Sequence, residues 1–329
     1  MKGYSIILFL CICLPVLIVG LGAESAAWTG PADSSFLPTT TITSTPVETP
    51  ANTQPPVVET VWVYHQNAPV EMELEEYIVG VVLAEMPASF ELEALKAQAV
   101  AARTYTYQKQ TGENKDHPTC MVCTDSTHCQ AWRDPATEPE EAKKIRKAVM
   151  DTKGEYACYD GQPIEALYHS CSGGMTENVE HVWGGKPVPY LTAVESPGEE
   201  MAENRYKDSV TMTKEAFVAA LKKSKPECKA TAKDVYTGMG QIKRSASGRI
   251  LSMQIGDAVF SGKELRNIFE LRSAHIRFSE DGEKITLITY GFGHGVGLSQ
   301  YGANARAKEG MNYIEILQFY YKGITVENR

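Results

Sequence analysis

Apolar residues recur with helical spacing through residues 74–86, and the last position of this apolar stripe is occupied by Glu85. The stripe predicts a helix with one buried face, and Pro87 predicts that the helix ends at Met86. A second helix is predicted over residues 90–107, and its Ala-rich centre would allow a neighbouring element to pack close to its backbone. A carboxylate at the end of a buried face therefore needs a chemical explanation.

The rest of the chain mixes strand and helix patterns. Alternating apolar and polar residues predict strands, and the Asp160–Gly161 turn is typical of a hairpin between two of them. The predicted strands cover residues 59–65, 68–74, 156–160, 164–170, 250–262 and 284–291. Further helices are predicted over residues 139–154, 211–224 and 299–321. Because no βαβ rhythm is present, we expect an α+β fold, with mixed helices and antiparallel strands around a substrate cleft.

The first 60 residues differ in composition from the rest. Residues 4–22 are apolar and uncharged, which predicts a single-pass membrane anchor over residues 1–28, with a cleaved signal peptide as the alternative. Residues 29–60 are rich in Thr and Pro and predict an extended linker. In either case the folded domain, residues 61–329, is expected to work outside the cytoplasm.

The charge of the chain narrows the choice of partner. A formal net charge of −9 argues against nucleic acid and against electrostatic attachment to anionic lipid, since both favour a basic surface. If the substrate is acidic, local hydrogen-bond donors must hold it, because the overall field would repel it.

Burial gives Glu85 a possible catalytic role. A carboxyl group on a buried helix face loses solvation of its charged form, and this raises its pKa. A carboxyl that holds its proton near pH 7 can act as a general acid at a glycosidic oxygen. The alternative is that Glu85 turns to solvent where the helix ends. The helix dipole weakens that alternative, because it disfavours negative charge at a C-terminus.

Several longer segments carry a family resemblance. "VVLAEMPASFELEALKAQAVAARTY", "YHSCSGGMT", "VPYLTAVESP" and "GFGHGVGLSQYGANARAKEG" together resemble the stage II sporulation protein D family, from about residue 61 to 323. The resemblance implies a lytic transglycosylase that cuts peptide-stripped glycan strands of peptidoglycan and leaves 1,6-anhydro-muramic ends, during septal wall remodelling and engulfment. The single catalytic glutamate of the family lies in the "EMP" block, which corresponds to Glu85.

The resemblance also implies location and partners. It places the domain on the mother-cell membrane, facing the forespore septum, with stage II sporulation proteins M and P as partners. Two other functions remain open from the residues. One is a non-catalytic peptidoglycan-binding activator of a cell-wall amidase. The other is a hydrolase of stem peptides that would use Cys171 with His169, or a metal at His128.

Further residues are candidates for substrate binding. The resemblance favours Arg103, whose alternative role is that of an ordinary helix arginine with its head in water. His294 lies in a Gly-rich loop whose glycine spacing does not fit phosphate binding. The full set of candidates is Arg103, His294, Tyr206, Lys207, His169, Ser170 and Gln300.

Cysteines suggest a metal site. "CMVCTDSTHC" places three thiols and His128 within ten residues, enough soft ligands for zinc although not with the spacing of a standard zinc finger. The resemblance implies that Cys123 and His128 are the ligands, in a site near the cleft. Disulfides and free thiols remain the alternatives, since six cysteines lie beyond the predicted anchor.

Overall fold

The structure is a computed structural model that describes residues 59–110, 117 and 119–329. The predicted membrane anchor and nearly all of the predicted linker lie outside these residues. Within the described part of the chain, no helix combines the length and the apolar character that crossing a membrane requires.

The described residues form both helices and strands, as the expected α+β class requires. The helices are α1 Leu74–Glu85, α2 Leu92–Gln110, α3 Pro139–Asp151, α4 Val179–Trp183, α5 Glu203–Tyr206, α6 Lys214–Ser224, α7 Gly262–Ile268, α8 Gln300–Lys308 and α9 Tyr313–Tyr320. The strands are β1 Thr60–His65, β2 Ala68–Glu73, β3 Val122–Cys123, β4 Glu155–Tyr159, β5 Gln162–Pro163, β6 Tyr168–His169, β7 Lys207–Thr213, β8 Met239–Arg244, β9 Ile250–Ile255, β10 Ala258–Phe260, β11 Ile276–Asp281, β12 Lys284–Tyr290, β13 Leu298–Ser299 and β14 Thr325–Asn328.

A first hydrophobic core surrounds α1 and α2. Helix α1 is apolar around most of its circumference and is buried along most of its length. Helices α2 and α3 pack against it, and α8 and α9 pack against α2. At Gly80 a Cβ atom would lie 2.1 Å from the indole nitrogen of Trp132, so only glycine fits there. This close approach fixes the segment around Trp132 against α1, near the helix end that carries Glu85.

A second hydrophobic core lies under the sheets β11-β12-β7 and β10-β9-β8, with α6 and α7 against them. Phe217 of α6 stacks on Phe269, with ring centroids 4.6 Å apart. Three of these strands, β7, β8 and β11, and helix α7 were not predicted from the sequence. Helix α6 begins at Lys214 rather than at 211, because residues 207–213 pair with β12 and Thr213 caps the helix.

Two other predicted elements differ from the structure. The helix expected over 299–321 is wrong as one element: α8 ends at Lys308, and Asn312 begins α9 with a capping box to Glu315. The long strand expected over 164–170 is also wrong, since only the short strands β5 and β6 form in this region. The predicted hairpin at Asp160–Gly161 is confirmed between β4 and β5.

Two loops pair back to back between the strands. Cys171 and Phe292 exchange both backbone hydrogen bonds, at 3.1 and 2.7 Å. Gly291 has φ +82°, and a Cβ there would lie 2.7 Å from the carbonyl oxygens of Cys171 and Ser172. Glycine is therefore required for these loops to meet, and their meeting brings residues 168–174 beside residues 290–297.

Candidate functional site

Glu85 is the last residue of α1, and its side chain is partly exposed. Its carboxylate accepts two hydrogen bonds: Oε1 from the backbone N–H of Ala131 at 3.1 Å, and Oε2 from Nε2 of Gln300 at 2.9 Å. Both donors are neutral. The three groups come from parts of the chain far apart in sequence, so the fold assembles this arrangement.

Burial raises the pKa of Glu85 above its ordinary value of 4.5. The hydrogen bonds from Gln300 and Ala131 act in the opposite direction, because they stabilise the charged form. Among the described residues, no neighbouring cation is among the causes of this shift. The carboxyl is thus biased towards its neutral form. The same two donors stabilise the carboxylate when the proton has left.

The segment that supplies Ala131 is held by the residue before it. Gln130 is 1% exposed, and its amide donates to Tyr77 and Thr106, at 3.2 Å in each case. Its Oε1 accepts from the hydroxyl of Tyr168 at 2.9 Å. Gln130 therefore links helices α1 and α2 to strand β6 and fixes the position of the Ala131 N–H.

Gln300 is positioned by the N-terminus of α8. Ser299 is the N-cap of α8 and accepts from the N–H of Gly302. The Ser299 hydroxyl in turn donates to Glu199, a carboxylate with no exposed surface. Glu199 also accepts from Ser172, Gly173, Gly174 and Ser196. A buried carboxylate that the sequence did not single out thus holds the residue next to Gln300.

His169 and Ser170 lie on and next to β6, which pairs in parallel with β13. His169 is 4% exposed, and its Nδ1 donates to the carbonyl of Val296 at 3.1 Å. Burial lowers its pKa well below the ordinary value, so the ring is neutral. The carbonyl of Ser170 accepts from the N–H of Tyr301 at 3.0 Å. Both residues therefore contact the start of α8, where Gln300 lies.

His294 lies in the Gly-rich loop, and its ring packs between two others. Its centroid is 5.5 Å from that of His169 and 5.0 Å from that of Trp183. Nδ1 accepts from the N–H of Val296 at 3.1 Å, and the backbone of Tyr168 is a second partner of the ring. Burial, with a smaller effect from the charge of Arg266, lowers the pKa of His294 to about 4. A neutral His294 therefore packs against its neighbours, and its ring nitrogens bond within the protein.

Tyr206 and Lys207 line a separate pocket of about 480 Å³, with Glu200, Asp208 and Ser209. The ammonium of Lys207 lies 5.9 Å from the ring centroid of Tyr290. The carbonyl of Tyr206 accepts from Gly291 at 2.7 Å, which connects this pocket to the Gly-rich loop. The structure therefore brings these two residues to the paired loops, but not into contact with Glu85.

Arg103 is the candidate that the structure corrects. Its side chain has no exposed surface and forms a bidentate ion pair with Glu75, at 2.6 and 3.0 Å. Its remaining bonds go to the carbonyls of Glu155 and Val149. A guanidinium enclosed in this way is not available to a glycan, so the expected cleft position is wrong. Sequence spacing alone does not show that Glu75, one helix away, would be its partner.

A cluster of four possible metal ligands lies just before Ala131 in the chain. The ligand atoms of His117, Cys123, His128 and Cys129 all lie within 4.8 Å of one another. Nδ1 of His128 is 3.5 Å from the sulfur of Cys123 and 3.2 Å from that of Cys129. Two thiols and two imidazoles at this spacing fit the tetrahedral preference of zinc. His117 and Cys129 extend the two-residue ligand set expected from the sequence.

Comparisons with known proteins identify the family of this chain. The model of the family described as "SpoIID: Stage II sporulation protein" matches residues 65–159. Stage II sporulation protein D of Bacillus subtilis (strain 168) is 36% identical over 271 residues, which cover 79% of this chain and 76% of that protein. The protein of the same name from Bacillus amyloliquefaciens is 35% identical over 300 residues, covering 87% of this chain and 83% of that protein.

A further relative carries a different name. The protein called "Amidase enhancer" of Bacillus subtilis (strain 168) is 32% identical over 293 residues, which cover 75% of this chain and 40% of that protein. Identity at this level over most of the chain, together with the family model, confirms the resemblance seen in the sequence motifs. The chain belongs to the stage II sporulation protein D family.

Proposed function

We propose that this protein is a lytic transglycosylase that cleaves the bond between N-acetylmuramic acid and N-acetylglucosamine in peptide-stripped glycan strands of peptidoglycan. The observation that carries the proposal is the environment of Glu85. Burial raises its pKa, and two neutral donors contact its oxygens. A carboxyl with these properties suits general acid catalysis at a glycosidic oxygen.

The reaction uses the same carboxyl twice. Glu85 gives its proton to the bridging oxygen while the bond from that oxygen to the anomeric carbon of the muramic residue breaks. The C6 hydroxyl of the same residue then attacks that carbon, and its proton passes to the Glu85 carboxylate. The products are a free hydroxyl on the leaving sugar and a 1,6-anhydro ring. Glu85 ends in its starting form, and no water is consumed.

The hydrogen bonds to Glu85 suit both halves of this cycle. Burial favours the protonated acid before the reaction, and the donors of Ala131 and Gln300 stabilise the carboxylate after the proton has left. Because the nucleophile belongs to the sugar, a second carboxylate is not needed, in contrast to the usual pair of glycosidases. Proximity of the internal hydroxyl supplies part of the acceleration.

Zinc would have a structural role in this proposal. His117, Cys123, His128 and Cys129 would hold the ion, and four protein ligands close its coordination shell. Ala131, which donates to Glu85, follows Cys129 by two residues. Zinc bound there would restrain the segment that carries this donor.

Membership of the family supports a proposal about the cellular role. Its relatives are named for stage II of sporulation, and we propose that this chain remodels the septal wall during engulfment. It would act from the outer face of the mother-cell membrane, with stage II sporulation proteins M and P as partners.

The products of purified protein test the activity. Glycan strands stripped by an amidase are incubated with the 59–329 domain and the fragments are analysed by mass spectrometry. We expect fragments that end in 1,6-anhydro-muramic acid, one water lighter than hydrolysis products. Fragments with reducing muramic ends would indicate a hydrolase and would overturn the transglycosylase proposal.

The second candidate function is a non-catalytic activator of a cell-wall amidase, and the relative named "Amidase enhancer" favours it. Under that function the protein alone would release nothing from stripped strands, and it would accelerate an added amidase on intact peptidoglycan. A Glu85→Gln variant would then accelerate the amidase as well as the wild type does. The transglycosylase proposal expects strand cleavage without any amidase present.

A further inference from the structure

Trp183 is a large aromatic side chain that remains 49% exposed, at the end of α4. The two residues that follow it are Gly184 and Gly185, so this stretch of chain carries no side chain that could cover the indole. A Cβ built on either glycine would meet no atom within 4 Å. An indole exposed in this way lacks the stabilisation that burial would give it, and part of its surface is accessible to a ligand.

Trp183 is the outermost of three successive rings. Its ring centroid lies 5.0 Å from that of His294, and the His294 centroid lies 5.5 Å from that of the buried His169. His169 pairs through its strand with Ser299, the residue before Gln300, and Gln300 donates to Glu85. A continuous set of contacts therefore leads from the exposed indole to the carboxyl group.

The short helix that carries Trp183 is fixed at its other end. Glu177 is 1% exposed and accepts hydrogen bonds from Ser247, from the N–H of Asn178 and from His181 of α4. The side chain of Asn178 accepts from the N–H of Ala193 at 2.6 Å. The indole is thus carried by an anchored element, as a preformed binding surface requires.

The ligand chemistry follows from the shape and charge of this surface. A pyranose ring presents a face of C–H groups that packs against a flat aromatic ring, while its hydroxyls stay in water. Contact with this face of a sugar needs no cationic partner on the protein. We propose that Trp183, backed by His294, is a stacking subsite for one pyranose unit of the glycan strand, away from the bond that is cut. This inference rests on the proposed glycan substrate.

The test measures binding without cleavage. In the Glu85→Gln background, the affinity for a peptide-free tetrasaccharide of alternating N-acetylglucosamine and N-acetylmuramic acid is measured by calorimetry. We expect Trp183→Ala to weaken binding about tenfold, and Trp183→Phe to stay within about threefold of the parent, because phenylalanine retains an aromatic face. Trp62→Ala is the matched control, since Trp62 is 44% exposed on β1, and it should bind like the parent.

The outcomes separate the two proposals. If the parent binds the tetrasaccharide and a folded Trp183→Ala binds it equally well, the subsite is overturned while the glycan substrate stands. If the parent binds no tetrasaccharide, both are overturned. Tryptophan fluorescence gives a second readout that needs no truncation to alanine: saturating tetrasaccharide should change the emission of the parent, and this change should disappear in Trp183→Phe.

Discussion

Two of the three acidic residues of helix α1 have different partners: Glu75 lies in the first turn and Glu85 at the end of the helix. Glu75 is 6% exposed and pairs with the fully buried Arg103, which also bonds two backbone carbonyls. Glu85 receives only neutral donors, and burial raises its pKa. Glu75, paired with a cation, cross-links the fold, whereas Glu85, with no cation among the causes of its pKa shift, is biased towards its protonated form. The comparison of these two residues shows that the partner of a carboxylate matters as well as its burial.

We expect the largest effect from Glu85→Gln, which removes the transferable proton. Cleavage of stripped strands should fall by at least about 100-fold, the range that a general acid contributes. Gln300 can rotate its amide and keep a hydrogen bond to the new side chain, so the fold should persist. Release of soluble fragments measures the loss. Glu76→Gln, which changes an exposed acid of the same helix, is the control and should cleave normally. Full cleavage by Glu85→Gln would remove Glu85 from the reaction.

The same variant should change how stability depends on pH. The carboxyl of Glu85 binds its proton more tightly in the folded chain than in the unfolded chain. Its contribution to stability is therefore complete below the unfolded value of 4.5 and is lost as pH rises through the folded pKa. Glu85→Gln lacks this dependence. As pH rises above 4.5, the free energy of unfolding of the wild type should therefore fall relative to that of the variant.

Arg103→Met should lower stability and leave cleavage intact, which is the reverse of the result expected for Glu85→Gln. It leaves Glu75 buried without its cation, and the free energy of unfolding should fall by about 3–5 kcal/mol. Cleavage per folded molecule should remain. Denaturant unfolding provides the measurement, and Arg146→Met is the control: its pair with Glu76 is exposed, and its loss should cost at most about 1 kcal/mol. A folded, equally stable Arg103→Met that no longer cleaves would return Arg103 to the site.

Metal removal should have a smaller effect. Protein purified without chelator should contain one zinc per chain, and stripping it should lower the free energy of unfolding by about 2.7 kcal/mol if free zinc had been a hundredfold above its dissociation constant. His128→Ala should lose the metal, while Cys158→Ala, at a buried thiol outside the cluster, should keep it. Metal-free protein with a disulfide between Cys123 and Cys129 would contradict the zinc site.

Gln300→Leu should produce the smallest change. The hydrogen bond from Gln300 lowers the pKa of Glu85, so its loss should raise that pKa further and move the alkaline limb of the activity profile to higher pH. The rate should fall about tenfold, because the carboxylate formed after proton transfer loses a donor. Gln318→Leu, on an exposed position of α9, is the control. An alkaline limb that stays in place would mean that Gln300 does not act on Glu85.

The sequence was informative where the signal is local. The apolar stripe of α1, the interruption by Glu85 and the Asp160–Gly161 hairpin all depend on residues close together in the chain, and the structure contains each of them. Strands β7, β8 and β11 were missed because a strand depends on partners elsewhere in the chain. The break between α8 and α9 had a local signal, Gly310 followed by Asn312, which the apolar pattern of 299–321 obscured.

The candidate site shows the same limit. Gln300 was selected from a motif, but its contact with Glu85 spans 215 positions of the chain and no spacing rule predicts it. The N–H of Ala131 carries no sequence signal at all, since any residue except proline supplies one. Arg103 was placed in the site because residue type and helix position do not show which carboxylate faces it. Partner identity is a property of the tertiary structure.

Titration of the Glu85 carboxyl is the most direct test of the difference between Glu85 and Glu75. Carboxyl carbons of glutamate are labelled with ¹³C, and the signal of Glu85, assigned by its absence in Glu85→Gln, is followed from pH 3 to pH 9 (about the range in which carboxyls titrate in proteins). The account predicts a midpoint above 4.5 that rises further in Gln300→Leu. A midpoint at or below 4.5 in a protein that cleaves stripped strands at full rate would contradict it.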